Sequence, residues 1–165
     1  MSIALSEING LSHAEFARVI GPVFEHSPWI AEAAAAQRPF PNSATLHAAM
    51  CAIVRNAGEE KQLALIRAHP DLVGRVVLTA ESNREQTAAG LMQLTPEEVA
   101  LFNRYNTDYK SRFGFPFIIC ARKNKKEAIL GAFPVRLKNS REAEIQTALD
   151  QIFQIAELRL ADLIA

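Results

Sequence analysis

An excess of charge of one sign is missing from this sequence, in which 18 Lys and Arg residues stand against 18 Asp and Glu. Without a net field, nothing draws a polyanion or an anionic membrane from a distance, so neither partner is expected and any anionic ligand must be held locally. The densest basic cluster, Arg122, Lys123, Lys125 and Lys126, has no interleaved aromatics to stack on bases and reads as a solvated turn. Long apolar runs are missing as well. None approaches the roughly 18 residues of a membrane span, and the N-terminus lacks the basic start and apolar core of a signal peptide. Cysteine is scarce: Cys51 and Cys120 are the only two. Both sit in apolar stretches, where a free thiol behaves as a small hydrophobe, which suits a reducing compartment and makes the cytoplasm the expected location.

Other absences exclude whole chemistries. The four histidines, His13, His26, His47 and His69, include no pair at i, i+4, and no two cysteines have ligand spacing, so no metal site is expected. There is no glycine-rich phosphate loop and no Gly-x-Ser-x-Gly elbow, which leaves nucleotide-dependent and serine-hydrolase readings without support. Cys120 beside a histidine is conceivable as a thiol nucleophile, but its apolar neighbours favour inert packing.

What is present is an ordinary globular balance, 49% hydrophobic and 22% charged over 165 residues. That length fits one domain with its own core. Helix-start signals recur. Ser12 and Glu15 form a capping box, flanked by Leu11 and Phe16 as a hydrophobic staple. Ser27 before Pro28 starts a second helix running to about Gln37. After the Pro39 to Ser43 break, Leu46, Met50, Ile53 and Val54 mark one helical face that runs out near Gly58. A further helix covers Glu60 to Ala68, where Pro70 disfavours helical geometry at His69 and leaves it at a helix exit. Ser82 with Glu85, and Thr95 with Glu98, repeat the capping box, the latter ahead of the stripe Val99, Phe102, Tyr105 and Tyr109.

The run from Phe113 to Cys120 is punctuated by Gly114 and Pro116 and reads as extended or irregular. Helices follow from about Lys126 to Leu137 and from about Ser140 to Leu163, the last with Ile145, Leu149, Ile152, Ala156 and Leu163 on one stripe. A single strand has no partner for a sheet. The expected fold is therefore all-α, a single-domain irregular bundle of about seven to nine helices.

Three groups could carry chemistry. His69, in Arg67-Ala68-His69-Pro70-Asp71-Leu72, stands where a helix stops and the chain turns; the competing role is an imidazole stabilised by the helix dipole. Ser82, Glu85 and Gln86 open a helix whose free N–H groups suit an electron-rich ligand, although Ser82 and Glu85 also have the spacing of a plain capping box. Arg159 falls on the apolar stripe of the last helix. A buried guanidinium needs an acceptor, either a carboxylate of this chain or a ligand anion, unless it snorkels to the surface.

Taken together, His69-Pro70-Asp71-Leu72, the segment Ser82 to Leu91, Asn103-Arg104-Tyr105 leading to Phe113-Gly114-Phe115-Pro116-Phe117-Ile118, and Arg159-Leu160 resemble the OHCU decarboxylases in order and spacing, over nearly the whole chain. The resemblance implies an all-helical enzyme, often a homodimer, that needs no metal or organic cofactor. Such enzymes remove the carboxylate of 2-oxo-4-hydroxy-4-carboxy-5-ureidoimidazoline to give (S)-allantoin, the last step from urate. By motif it implies His69 as acid/base and Glu85 as its acidic companion. Pro70, Ser82, Gln86, Arg159 and backbone groups of Phe117, Ile118 and Ile119 would line the pocket. Val73 and Ala80 fill less constrained positions. The competing expectations are a helical module that binds a ureide without turning it over, and a different hydrolase or lyase of purine breakdown using the same site.

Overall fold

The computed structural model describes residues 2–74 and 78–165. Among them it shows nine α-helices and no strand; the one bridge outside the helices joins Ile3 to Ile164. The chain resolves into two compact units, Met1–Ala68 with Phe153–Ala165, and His69–Ile152.

In the first unit, α1 (Leu5–Gly10), α2 (His13–Ile20), a 3-10 turn at Gly21–Val23, α3 (Trp29–Ala35), α4 (Ser43–Arg55) and α5 (Glu59–Arg67) follow one another. The capping box at Ser12 forms in full, the Ser12 hydroxyl accepting from Glu15 N–H and the Glu15 carboxylate accepting from Ser12 N–H. A short helix, α1, nevertheless precedes it, with no side-chain cap to announce it. The Ser27 signal misleads: its hydroxyl donates to the Glu25 carbonyl, and α3 starts at Trp29 without a side-chain cap. Asn42 caps α4, its Oδ1 accepting from Thr45 N–H at 2.8 Å. Phe16, Ile20, Ile30, Leu46, Met50, Val54, Leu65 and Ile66 are fully buried; of the face read for α4, Leu46, Met50 and Val54 are buried, while Ile53 is only half-buried.

In the second unit, α6 (Ala80–Ala88) and α7 (Pro96–Phe113) are followed by an irregular segment, a 3-10 turn at Ala121–Lys123, α8 (Lys126–Arg136) and α9 (Arg141–Leu163), whose last residues belong to the first unit. α7 opens on the predicted Thr95 box with Pro96 inside, and ends at Gly114, whose φ of 80° lies in the left-handed region that glycine enters without strain. The run after it is no strand. Residues 115–120 are buried, and Phe117 stacks on Phe133 of α8 with ring centroids 3.8 Å apart.

Beneath that segment lies a buried polar cluster. Glu144 of α9 is 0% exposed and Arg136 of α8 is 7% exposed, so each charge needs the other. Glu144 Oε1 accepts from Arg136 Nε at 2.8 Å and from the Tyr109 hydroxyl at 2.5 Å, while its Oε2 accepts from Asn139 Nδ2 at 2.9 Å. Arg136 also donates Nη1 to the Ile118 carbonyl at 2.5 Å and lies over the Phe117 ring.

Glu144→Ala strands the Arg136 charge and is expected to cost about 3–5 kcal/mol in urea unfolding, against about 2 kcal/mol for Tyr109→Phe, which removes one hydrogen bond to a charged group. Burial, then the Glu144 hydrogen bond, pushes the Tyr109 phenol up. A raised folded pKa gives stability that is complete below the unfolded value, about 10, and is lost as pH climbs past it. Stability measured across pH 9 to 12 should therefore fall above about 10, and less steeply in Tyr109→Phe.

Candidate active site

The turn after α5 reads His69-Pro70-Asp71-Leu72-Val73-Gly74. Pro70 prevents helix from running through His69, and Gly74 N–H closes the turn on the Asp71 carbonyl at 3.3 Å. Side chains of two helices hold it in place. Gln86 Oε1 of α6 accepts from Val73 N–H at 3.2 Å, Asn106 Nδ2 of α7 donates to the Leu72 carbonyl at 2.8 Å, and Lys110 pairs with Asp71 at 2.7 Å. Val73 is held at a φ of 59°, a strained conformation for a β-branched residue that persists only where neighbours over-determine it. A Cβ on Gly74 would lie 3.1 Å from the Asp71 carbonyl oxygen, a contact tight enough that the turn would have to shift by a few tenths of an ångström to take it. His69, at the head of this turn, is buried, and Pro70 is half-buried.

Helix α6 supplies the next three groups. Its buried residues are Ser82, Glu85 and Gln86, which the helical repeat puts on one face. The cap, however, is Thr79, whose hydroxyl accepts from Ser82 N–H at 3.1 Å. Ser82 therefore lies inside the first turn, and the box expected between Ser82 and Glu85 does not open the helix. Sequence reading missed Thr79 because Thr79 to Ser82 and Ser82 to Glu85 share the same three-residue spacing. Gln86 joins α6 to the His69 turn, and α6 packs against the 3-10 turn that follows Cys120. Burial pushes the Cys120 thiol up, and the Glu85 carboxylate adds to the shift. Lys125 Nζ donates to the Ala88 carbonyl at 2.7 Å and ties the same loop to the end of α6.

The thiols themselves fit inert packing. Cys120 is buried, and burial lifts Cys51 to about 11, leaving little thiolate at neutral pH. Among the described residues, no group of three or more His, Cys, Asp and Glu side chains has the arrangement to hold a metal ion, and no helix is long and apolar enough to cross a membrane. Lys126, one of the four basic residues read as a solvated turn, pairs with Glu98 at 3.1 Å.

Arg159 belongs to the first unit, where Glu25 supplies the carboxylate that a buried guanidinium requires, at 2.9 Å, and the Pro22 carbonyl accepts from Nη1 at 3.1 Å. Both side chains are nearly inaccessible, 6% for Arg159 and 1% for Glu25, which sets the snorkelling account aside. Glu25 carried no sequence signal, since it lies outside any helix and 134 positions separate it from Arg159 by residue number.

A family model described as OHCU decarboxylase matches residues 9–161. The chain belongs to the OHCU decarboxylase family. A relative from Amia calva named 2-oxo-4-hydroxy-4-carboxy-5-ureidoimidazoline decarboxylase is 43% identical over 164 residues, covering 97% of this chain and 94% of its own. One of the same name from Haloferax volcanii is 42% identical over 160 residues, covering 97% and 95%. The fold also resembles a solved (S)-allantoin synthase, with a TM-score of 0.81 and 31% identity over 98% of this chain; this chain spans 54% of that one.

Because Thr79 and not Ser82 caps α6, Thr79→Ala should lower stability by about 1 kcal/mol in urea titrations, and Ser82→Ala by less. The opposite order would return the cap to Ser82.

Proposed function

We infer that the chain decarboxylates 2-oxo-4-hydroxy-4-carboxy-5-ureidoimidazoline to (S)-allantoin in urate degradation, as a carboxy-lyase. The observation that carries this reading is the family match over residues 9–161, which takes in every candidate site residue. In the reaction, the bond between the ring carbon and its carboxylate breaks and CO2 leaves. The electron pair enters the adjacent C=N, whose nitrogen takes up a proton. The resulting enol then loses its hydroxyl proton as the neighbouring carbon gains one, which gives the ring amide carbonyl of allantoin. Because the substrate carries its own electron sink, this chemistry needs no pyridoxal or thiamine.

The protein's part is orientation and proton handling. His69 is the acid/base, a role suited to a group that titrates near neutrality. Glu85, as its acidic companion, would favour the imidazolium form. Gln86 Oε1 is engaged by Val73 N–H, which leaves its amide N–H donors for a ligand oxygen. Ser82, Pro70 and backbone groups of Phe117, Ile118 and Ile119 hold the remaining polar edges. The buried rings of Phe115 and Phe117 exclude water, so the leaving carboxylate is desolvated and its expulsion is favoured. We further propose that residues 1–165 act as one domain, that the protein is a cytoplasmic homodimer, and that no metal ion takes part. Light scattering checks the dimer.

The test couples urate, urate oxidase and hydroxyisourate hydrolase to the purified protein and follows optically active allantoin by circular dichroism. The wild type should speed its appearance, with or without a chelator, whereas a ureide-binding module would not. His69→Ala should lower kcat by about 10²- to 10⁴-fold, and Glu85→Gln should also slow turnover. Folded variants that both form (S)-allantoin at the wild-type rate would remove the two residues from the mechanism.

A further inference from the structure

Two hydrogen bonds from helices flank Ile119 in the irregular segment. Arg136 Nη1 of α8 donates to the Ile118 carbonyl at 2.5 Å, and Cys120 N–H donates to Gln151 Oε1 of α9 at 2.8 Å. The peptide units on both sides of Ile119 are trans, and in a planar trans peptide the C=O and N–H point in opposite directions. The Ile118 carbonyl faces Arg136, so the Ile119 N–H points away from it. The Cys120 N–H faces Gln151, so the Ile119 carbonyl points away from that side chain. Both polar groups of Ile119 are thereby turned from the helices behind them.

The anchors on either side are themselves fixed. Arg136 is held by Glu144 at 2.8 Å and lies 4.2 Å from the centroid of the Phe117 ring. Beyond Ile119, the Cys120 carbonyl accepts from Asn124 Nδ2 at 2.9 Å and from Lys123 N–H at 3.1 Å. Ile119 is only 9% exposed, and backbone groups at such depth need partners. A donor and an acceptor on one residue match the –NH–C(=O)– unit of a lactam or a ureide, which offers one of each in return.

We propose that Gln151 and Arg136 are positioning residues for substrate recognition: by holding the peptides before and after Ile119, they aim its N–H and C=O at the ureide or ring amide of the ligand. This rests on the decarboxylase reading above. Neither side chain was singled out by the sequence, and Gln151, half-buried on α9, is the cleaner handle because Arg136 also compensates the buried Glu144.

The experiment compares Gln151→Met, which removes the acceptor at similar volume, with Gln151→Glu, which keeps one, in the coupled assay. If positioning is right, Gln151→Met raises KM about tenfold with kcat within about threefold, the signature of lost uniform binding. Gln151→Glu should restore most of the affinity, with thermal unfolding alike in both variants. Wild-type KM in a folded Gln151→Met variant, or a Gln151→Glu variant as impaired as Gln151→Met, overturns the proposal. A wild type that makes no allantoin overturns the decarboxylase reading and this inference with it. Should Gln151→Met not fold, ¹⁵N-isoleucine spectra of the wild type decide. At allantoin concentrations that inhibit turnover, the Ile119 amide should shift more than any other isoleucine amide, and an unmoved Ile119 signal sinks the idea.

Discussion

The ion pair between Arg136 and Glu144 is the constraint on which the second unit turns. Two charges have been taken out of water, and each is tolerable only while the other stays within hydrogen-bond reach. Because Arg136 is on α8 and Glu144 on α9, the pair fixes the two helices against each other. Tyr109 brings in α7 through the same carboxylate, and the Ile118 carbonyl brings in the segment that follows it. Replaced by well-packed apolar residues, the pair would cost little net stability; broken, it would leave a stranded charge. Its effect is therefore on geometry, holding an irregular stretch of backbone in one arrangement without a sheet to do so.

The His69 turn follows the same logic with weaker bonds. A proline ends one helix, and a valine then takes a conformation that it avoids elsewhere, while Gln86, Asn106 and Lys110 hold the backbone around it. The strain sits at Val73, in the turn that His69 heads, and it persists because these neighbours over-determine the backbone. Gln86 shows how a side chain of one helix fixes a distant turn: its oxygen accepts from Val73 N–H and ties the turn to α6. On α6, Ser82 and Glu85 share its buried face, so the helix presents a polar strip rather than the apolar one expected of a packed helix.

Arg159 shows where stripe reasoning succeeds and where it stops. Its place on an apolar stripe correctly signalled a buried charge in need of an acceptor, but the stripe gave no means of choosing Glu25 over a ligand. The same signal was present at Glu144, which stands beside Ile145 on α9 and is wholly buried, and at Asn106, buried within the Phe102 to Tyr109 face of α7; neither was read. Thr79 was missed for a different reason, since two overlapping three-residue spacings compete for one helix start and local sequence does not rank them.

By itself, the sequence determined what depends on residues three or four apart. The all-helical class, the boxes at Ser12 and Thr95, the end of α7 at Gly114 and the helix exit at His69 all follow from caps, breakers and helical periodicity, which act within a turn or two. Tertiary structure decided the partners: Tyr109 with Glu144, 35 residues on; Cys120 with Gln151, 31 residues on; and Arg159 with the Pro22 carbonyl, 137 residues back. Such contacts form only once loops have closed and charges have been desolvated together. The energy that selects them depends on which groups end up buried side by side, and no pattern along the chain records that.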